Sequence, residues 1–400
     1  MRRFALATLA LLLLAAPVSA AGARTQPQPA AAAASANPLG IQAQSAVLLD
    51  ARANTILYAW QPSLRLQPAS LAKMMTLLLA LEAVRDGQIQ LTTPVTVSKD
   101  AWQLAEQLGP LSDMGLQVGQ KVPFQDLLYG LVVSSGNDAA VAIAEALAGS
   151  QQAFVAEMNA RAAQLGLAST HFATVHGLPA TDQYTTALDM AHLAQYLVLQ
   201  DPQVAQYTSR QSFAWNGITQ PNFNLPLMQM DPRVFGIKTG HVDAGGYHLA
   251  AAARQGSQLL VAVVMGAASD SARSQQAETL LKYGFGQWDT LTLDWHRYAP
   301  ADVHVWTGAG QVVPIAPAQP VVVAVPRNEV SALKVAAVLN PAVRAPLAAG
   351  AVVGSIRISA PDAPTRSIPL LAAAPMAQGP LLQVLWDDVR LFALEVWRSL

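Results

Sequence analysis

A chain of 400 residues that is 52% hydrophobic and only 12% charged has material for a large core and does not belong to the disordered class. Its formal net charge of −1 lacks the electrostatic footprint of a nucleic-acid binder, so no nucleic acid is expected as a partner. There is no cysteine, and the seven histidines show no His-Glu-x-x-His pattern, so no disulfide framework, thiol nucleophile, metal or cofactor is expected.

In chain order, residues 1–20 read as a secretory signal. Arg2 and Arg3 form the basic start, Phe4 to Ala15 the apolar run, and Val18-Ser19-Ala20 a small-residue cleavage site. The run is short for a transmembrane span, an uncleaved anchor being the alternative. Residues 21–38, rich in Ala, Pro and Gln, read as a flexible segment. A catalytic domain is expected over 39–286. Ser45 to Asp50 and Thr55 to Trp60 flank Ala51-Arg52-Ala53-Asn54 as a hairpin.

Pro68-Ala69-Ser70-Leu71-Ala72-Lys73-Met74-Met75-Thr76 then opens an apolar run that stops at Asp86-Gly87, which predicts a helix with Ser70 in its first turn. Leu91 to Lys121 is mixed, with strand-like pieces such as Val95-Thr96-Val97. Its Gly109-Pro110 and Gly115 suggest a loop passing near the site. Pro123 to Val132, Asp138 to Leu147, Gln151 to Leu165 and Thr186 to Leu199 read as helices.

Val234 to Lys238 reads as a strand ending at Thr239-Gly240. Tyr247 to Ala253 and Leu259 to Met265 follow as strands, and Ala272 to Tyr283 as a helix. Two early and three late strands around a helical middle predict an α+β fold: one antiparallel sheet built from both ends of the domain, plus a helical lobe. Residues 287–377, with Val-rich runs split by Pro and Gly, predict a small all-β domain.

Residues 378–400 predict an amphipathic helix. Leu382, Leu385, Val389, Phe392, Val396 and Leu400 form one stripe with Trp386 and Trp397 beside it. Asp387, Asp388, Arg390, Glu395 and Arg398 lie on the other side. Such a helix suits an interfacial membrane anchor, the alternative being a helix packed on its own β-domain.

Ser70 and Lys73, three residues apart, share one helix face. A hydroxyl becomes a nucleophile when a base takes its proton, and an amine half-sunk among Leu, Met and Ala is such a base, because desolvation disfavours its charged form. The helix N-terminus also leaves N–H groups free for an oxyanion. Alone, Ser-x-x-Lys is weak: Ser331-Ala332-Leu333-Lys334 repeats it with no partner motif after it. Ser135-Gly136-Asn137 and Lys238-Thr239-Gly240 follow Ser70 in order, and that ordered set is the motif set of penicillin-binding proteins and serine β-lactamases.

With Pro68 to Thr76, Ser135-Gly136-Asn137-Asp138-Ala139 and Gly236-Ile237-Lys238-Thr239-Gly240-His241 in view, the chain resembles the low-molecular-mass penicillin-binding proteins that are serine D-Ala-D-Ala carboxypeptidases. Thr170-His171-Phe172, Val175-His176-Gly177-Leu178 and Ala337-Val338-Leu339-Asn340 are similar to further family segments. The resemblance implies an exported enzyme acting on peptidoglycan pentapeptide at the periplasmic face of the inner membrane. It implies β-lactam antibiotics as inhibitors and a C-terminal helix on the membrane surface.

By that resemblance, Ser70 attacks the penultimate D-Ala carbonyl and Lys73 takes its proton, directly or through a water. Ser135 passes the proton to the leaving amine. Asn137 binds the substrate amide, and Lys238 and Thr239 bind its carboxylate beside Gly240. The N–H groups of Ser70 and His241 form the oxyanion hole, and Arg273 helps hold the terminal carboxylate. His176 is expected to be structural.

The chain departs from the pattern in three places. Phe235 stands where the family often has Asp, the loop Leu111-Ser112-Asp113-Met114-Gly115 differs, and the terminal helix is acidic rather than Lys-rich. The rival readings are a serine β-lactamase, which needs a Glu for its deacylating water where no Glu-x-x-Leu-Asn follows Ser135, and a non-catalytic wall-binding scaffold, against which intact Ser70 and Lys73 argue.

Overall fold

The two early runs form the expected hairpin, β1 (Ser45–Asp50) and β2 (Thr55–Trp60), turning at 51–54. The computed structural model describes residues 37–108, 112–201, 203–361 and 363–399. The expected signal, nearly all of the segment 21–38, Gly109, Pro110, Leu111 and Leu400 lie outside the described residues, as do the side chains of Glu395 and Arg398.

A 3-10 turn (Ala69–Ala72) leads into α1 (Lys73–Arg85), so Ser70 sits in the tight turn before the helix rather than in its first turn. Next come β3 (Pro94–Thr96), α2 (Lys99–Leu108) and β4 (Lys121–Pro123). The helix α2 was not expected in that mixed segment. Helices α3 (Phe124–Val132), α4 (Asn137–Ala148), α5 (Gln151–Gln164) and α6 (Ala187–Gln200) match the expected positions. Three unexpected pieces follow: α7 (Val204–Thr208), the hairpin β5 (Ser212–Trp215) and β6 (Ile218–Pro221), and α8 (Leu225–Met230).

Strands β7 (Val234–Val242), β8 (Gly246–Gln255) and β9 (Gln258–Ala267) and helix α9 (Asp270–Gln287) close the unit. The sheet is antiparallel in the order β2-β1-β9-β8-β7, confirming the α+β arrangement. One expectation fails: β7 does not end at Thr239-Gly240 but pairs on through to Val242 against Gly246. Gly240 sits in register opposite His248, so the ladder continues where glycine suggested a stop.

The period-2 alternation of a strand puts Val47, Leu49, Val261 and Val263 in the core shared with α1, α3, α4 and α6, while Ala46, Leu48, Leu260 and Ala262 pack with Leu280 and Leu281 of α9. Both faces of the sheet are therefore covered, and the central strands read as unbroken apolar runs. The edge strand β7 has one open side.

The β-rich remainder contains β10 (Trp288–Thr292), β11 (Asp302–His304), β12 (Val312–Pro317), β13 (Val322–Pro326), β14 (Lys334–Leu339), β15 (Val352–Ala360) and β16 (Ala363–Ala372). A five-stranded sheet runs β11-β12-β16-β15-β14, and β10 pairs with β13. Val and Ile on their inner faces make a separate core. Arg366 of β16 donates to the Thr55 hydroxyl (3.1 Å) and the Val322 carbonyl (3.3 Å), tying this sheet to the first hairpin.

The last helix, α10 (Leu381–Ser399), docks by one edge. Leu391 is buried, the Thr307 N–H donates to the Asp387 carboxylate at 2.8 Å, Gln383 Nε2 donates to the Gly308 carbonyl at 2.7 Å, and Arg344 pairs with Asp388. Its apolar stripe stays out: Leu382 is 82% exposed, Phe392 68% and Trp397 75%. No single helix among the described residues is long and apolar enough to cross a membrane.

Candidate active site

The turn that presents Ser70 is held by packing rather than by a cap. No side chain caps the 3-10 turn or α1, while Leu71, Ala72, Met74 and Met75 are buried in the main core. Ala69 takes a positive φ of 50°, costly for a residue with a Cβ and tolerated only where the surroundings over-determine it. Two glycines supply those surroundings. A Cβ on Gly177 (φ +88°) would stand 1.8 Å from the Ala69 carbonyl oxygen, and one on Gly240 would stand 3.1 Å from the Ser70 nitrogen. The chain must be bare at both places to close around the turn.

Ser70 is half-buried, and Lys73, 1% exposed, points back along the same face. Lys73 Nζ lies 3.0 Å from Ser70 Oγ and donates to Asn137 Oδ1 at 2.7 Å. Burial pushes the Lys73 amine down to about 7 against a weaker upward pull from the Asp138 charge. Ser-x-x-Lys thus supplies a hydroxyl and an amine that is partly neutral near neutral pH.

The second motif arrives on the turn between α3 and α4. Ser135 is left-handed (φ 55°), and the Gly136 N–H donates to the Gly130 carbonyl at 2.9 Å, so Ser135 and Asn137 both face inward. Asp138, next in α4, receives the N–H groups of Met114 (3.1 Å) and Leu116 (3.1 Å), while Asn137 N–H donates to the Ser112 carbonyl (2.8 Å). The loop 112–116 is thereby clamped beside the site. Burial, then neighbouring Asp113, push the Asp138 carboxyl up to about 8. Sequence reasoning took Asp138 as part of a helix start. An acidic residue in a first turn has that ordinary reading, and nothing local shows that its side chain turns to a distant loop.

The third motif lies on β7. Lys238 Nζ donates to Ser135 Oγ at 2.9 Å and to the Thr239 carbonyl at 3.0 Å. Burial first, then the charges of Lys73 and Arg273, hold Lys238 well below the usual lysine range. The structure therefore brings together Ser70, Lys73, Ser135, Asn137, Lys238, Thr239 and Gly240. His241 stands at the rim, its ring stacked on Tyr247 at 4.1 Å. Arg273 lies behind β7, 4% exposed, donating to the carbonyls of Gly240 (3.1 Å) and His248 (3.4 Å) and paired with Asp270. His176 is buried and pushed down to about 3 by burial and then by the Lys73 charge, and its Nδ1 accepts the Leu178 N–H at 3.2 Å. Sequence reasoning missed Tyr247 and His248, which carry no motif. Phe235 packs against the main core. Among the described residues no cluster of three or more His, Cys, Asp or Glu could hold a metal ion.

The chain is also similar to known proteins. Residues 31–269 match the family model described as D-alanyl-D-alanine carboxypeptidase, and residues 297–377 match the penicillin-binding protein 5 C-terminal domain. The D-alanyl-D-alanine carboxypeptidase DacC of Escherichia coli (strain K12) is 36% identical over 87% of this chain and 88% of its own length. The crystal structure of penicillin-binding protein 5 from Haemophilus influenzae superposes with a TM-score of 0.79 at 32% identity, covering 86% of this chain and all of that one. Penicillin-binding protein 6B from Escherichia coli gives 0.69 at 34% identity, over 84% and 98%.

The lowered Lys73 amine sets a pH dependence. With Lys73 expected to take the Ser70 proton, acylation of Ser70 by labelled penicillin should climb as pH rises through about 7 and level off above it. Stopped-time labelling across about pH 5 to about pH 9 measures this. A rate still climbing at the top of that range would place the Lys73 amine near its ordinary value.

Proposed function

The chain belongs to the D-alanyl-D-alanine carboxypeptidase family of serine peptidases, and from that premise we propose that it removes the terminal D-Ala from peptidoglycan pentapeptide through a Ser70 acyl-enzyme. The observation that carries the reading is the pair of buried amines: Lys73 Nζ on Ser70 Oγ at 3.0 Å and Lys238 Nζ on Ser135 Oγ at 2.9 Å. Each motif serine has its own lysine, and the two pairs share one cleft.

The steps follow from that pairing. Lys73, neutral, accepts the Ser70 proton as Oγ bonds to the penultimate D-Ala carbonyl carbon. The charge on the carbonyl oxygen falls, by the family resemblance, to the N–H groups of Ser70 and His241, and Gly240, the neighbour of His241, approaches the Ser70 turn closely. Ser135 relays the proton to the D-Ala nitrogen as the C–N bond breaks. Water then adds to the acyl carbon, the C–Oγ bond breaks, and a proton of that water goes to Ser70 Oγ as the shortened peptide leaves. The substrate carboxylate meets Lys238 and Thr239, with Arg273 adding positive charge from behind the strand. The arriving anion favours the charged form of Lys238, and that charge in turn keeps Lys73 neutral. Because β7 is an edge strand, its open side suits a peptide laid along it as an added strand.

For the place of action, the reading is an exported enzyme held at the periplasmic face of the inner membrane by α10. Support comes from the way α10 sits: polar contacts hold one edge to the β-rich unit while the apolar stripe faces outward. Burying each such side chain is worth roughly 1.5–3 kcal/mol, so the stripe suffices for peripheral binding without a cationic face. Asp387, Asp388 and Glu395 outnumber Arg390 and Arg398 on this helix, so anionic lipid gains little attraction to it.

Labelled penicillin should attach to Ser70, located by peptide mapping. The enzyme should release D-Ala from a peptide ending in D-Ala-D-Ala, and Ser70→Ala should abolish both. Lys73→Ala should slow acylation by about 10³-fold or more. Label on Ser331, or on no serine, would contradict the reading. A protein lacking residues 381–400 should stay active but no longer cosediment with vesicles, and the full chain should bind neutral and anionic vesicles alike. Undiminished binding without the helix would reject the anchor.

A further inference from the structure

The reaction scheme leaves two buried imidazoles unused, His176 and His248, and the second bridges three segments. His248 is 0% exposed and sits on β8 in register opposite Gly240 of β7. Its ring nitrogens have opposite roles fixed by their partners. The Gly266 N–H of β9 donates to Nδ1 at 2.9 Å, so Nδ1 carries a lone pair. Nε2 lies 3.0 Å from the Gln67 carbonyl, which only accepts, so Nε2 carries the proton. Only the neutral Nε2–H tautomer satisfies both neighbours. Burial holds the ring in that form, pushing it down to about 4.

The place of these two bonds matters more than their number. Gln67 enters the turn that presents Ser70. Gly240 approaches the same turn so closely that a Cβ there would lie 3.1 Å from the Ser70 nitrogen. Arg273 Nη1 joins the Gly240 carbonyl to the His248 carbonyl. One residue of β8 thus touches both sides: its backbone lies in register with Gly240, the residue before His241, and its ring holds the chain leading to Ser70.

We propose that His248 is a positioning residue for acyl transfer, setting the spacing between the Ser70 and His241 N–H groups by bonding Gln67 to the β8–β9 sheet. This rests on the reading of Ser70 as the acylated nucleophile. A buried histidine that only filled space would affect stability and leave the rate per folded molecule unchanged.

The test uses the full chain with labelled penicillin, mapping the adduct in the parent and following acylation in folded His248→Leu and His248→Gln proteins alongside their thermal unfolding. Leucine fills the space without either bond. A glutamine amide can accept from Gly266 and donate to Gln67. The leucine protein should lose ~10²-fold in the first-order acylation step, with its penicillin dissociation constant little changed, since a misplacement on the order of 1 Å has that effect. Glutamine should restore the rate to within about tenfold of the parent. A leucine protein acylated within about threefold of the parent overturns the proposal, as does a glutamine protein that is unfolded or as slow as leucine. A parent not labelled at Ser70 instead overturns the nucleophile reading itself.

Discussion

Burying the amine of Lys73 is the constraint on which the rest of the site depends. The chain places this ammonium-forming group at 1% exposure and gives it a hydroxyl and an amide oxygen as partners, with no ion pair among the described residues. A downward shift from 10.5 to about 7 corresponds to about 5 kcal/mol of preference against the charged form. An exposed pair of charges is worth about 0–1 kcal/mol, so no surface arrangement could shift the amine as far. Burial does so, and the turn and helix that carry Lys73 are held in the main core by Leu71, Met74 and Met75. Fold and chemistry are therefore joined: the packing that places α1 also buries the amine that the proposed mechanism uses as its base.

The second buried amine makes the arrangement responsive to a ligand. Lys238 and Lys73 repel when both are charged, and both have lost water. An anion arriving at β7 rebalances that pair in favour of charge on Lys238. On the proposed mechanism, binding and base activation are then one electrostatic event, which is how a site can be ready only when occupied.

Much of this was legible in the sequence because it is local. Three motifs in order, a hairpin of two apolar runs and long apolar helices each announce themselves within a few residues. The membership of the five-stranded sheet also followed, since two early and three late strands bracket the helical middle, whereas its order, with β1 beside β9, did not. What stayed hidden depends on contacts across the chain. Strand β7 was expected to stop at Gly240, because glycine reads as a terminator, whereas here its missing Cβ lets the strand pass close to the Ser70 turn. The short pieces α7, β5, β6 and α8 carry too few residues for a periodic signal. His248 and Asp138 hold loops distant in sequence, and a single polar residue gives no warning of that. For α10, the alternation marked the apolar stripe, and the structure adds that Asp387 is buried against Thr307, so the helix is docked on the β-rich unit by its polar edge.

The most direct measurement of the central claim is the titration of the Lys73 side chain by NMR in the folded protein, with Lys73→Ala identifying its signal. The account predicts a midpoint near 7, set by burial. A midpoint near the ordinary lysine value of about 10.4 would show that the amine stays charged at neutral pH, and that something other than Lys73 must take the Ser70 proton.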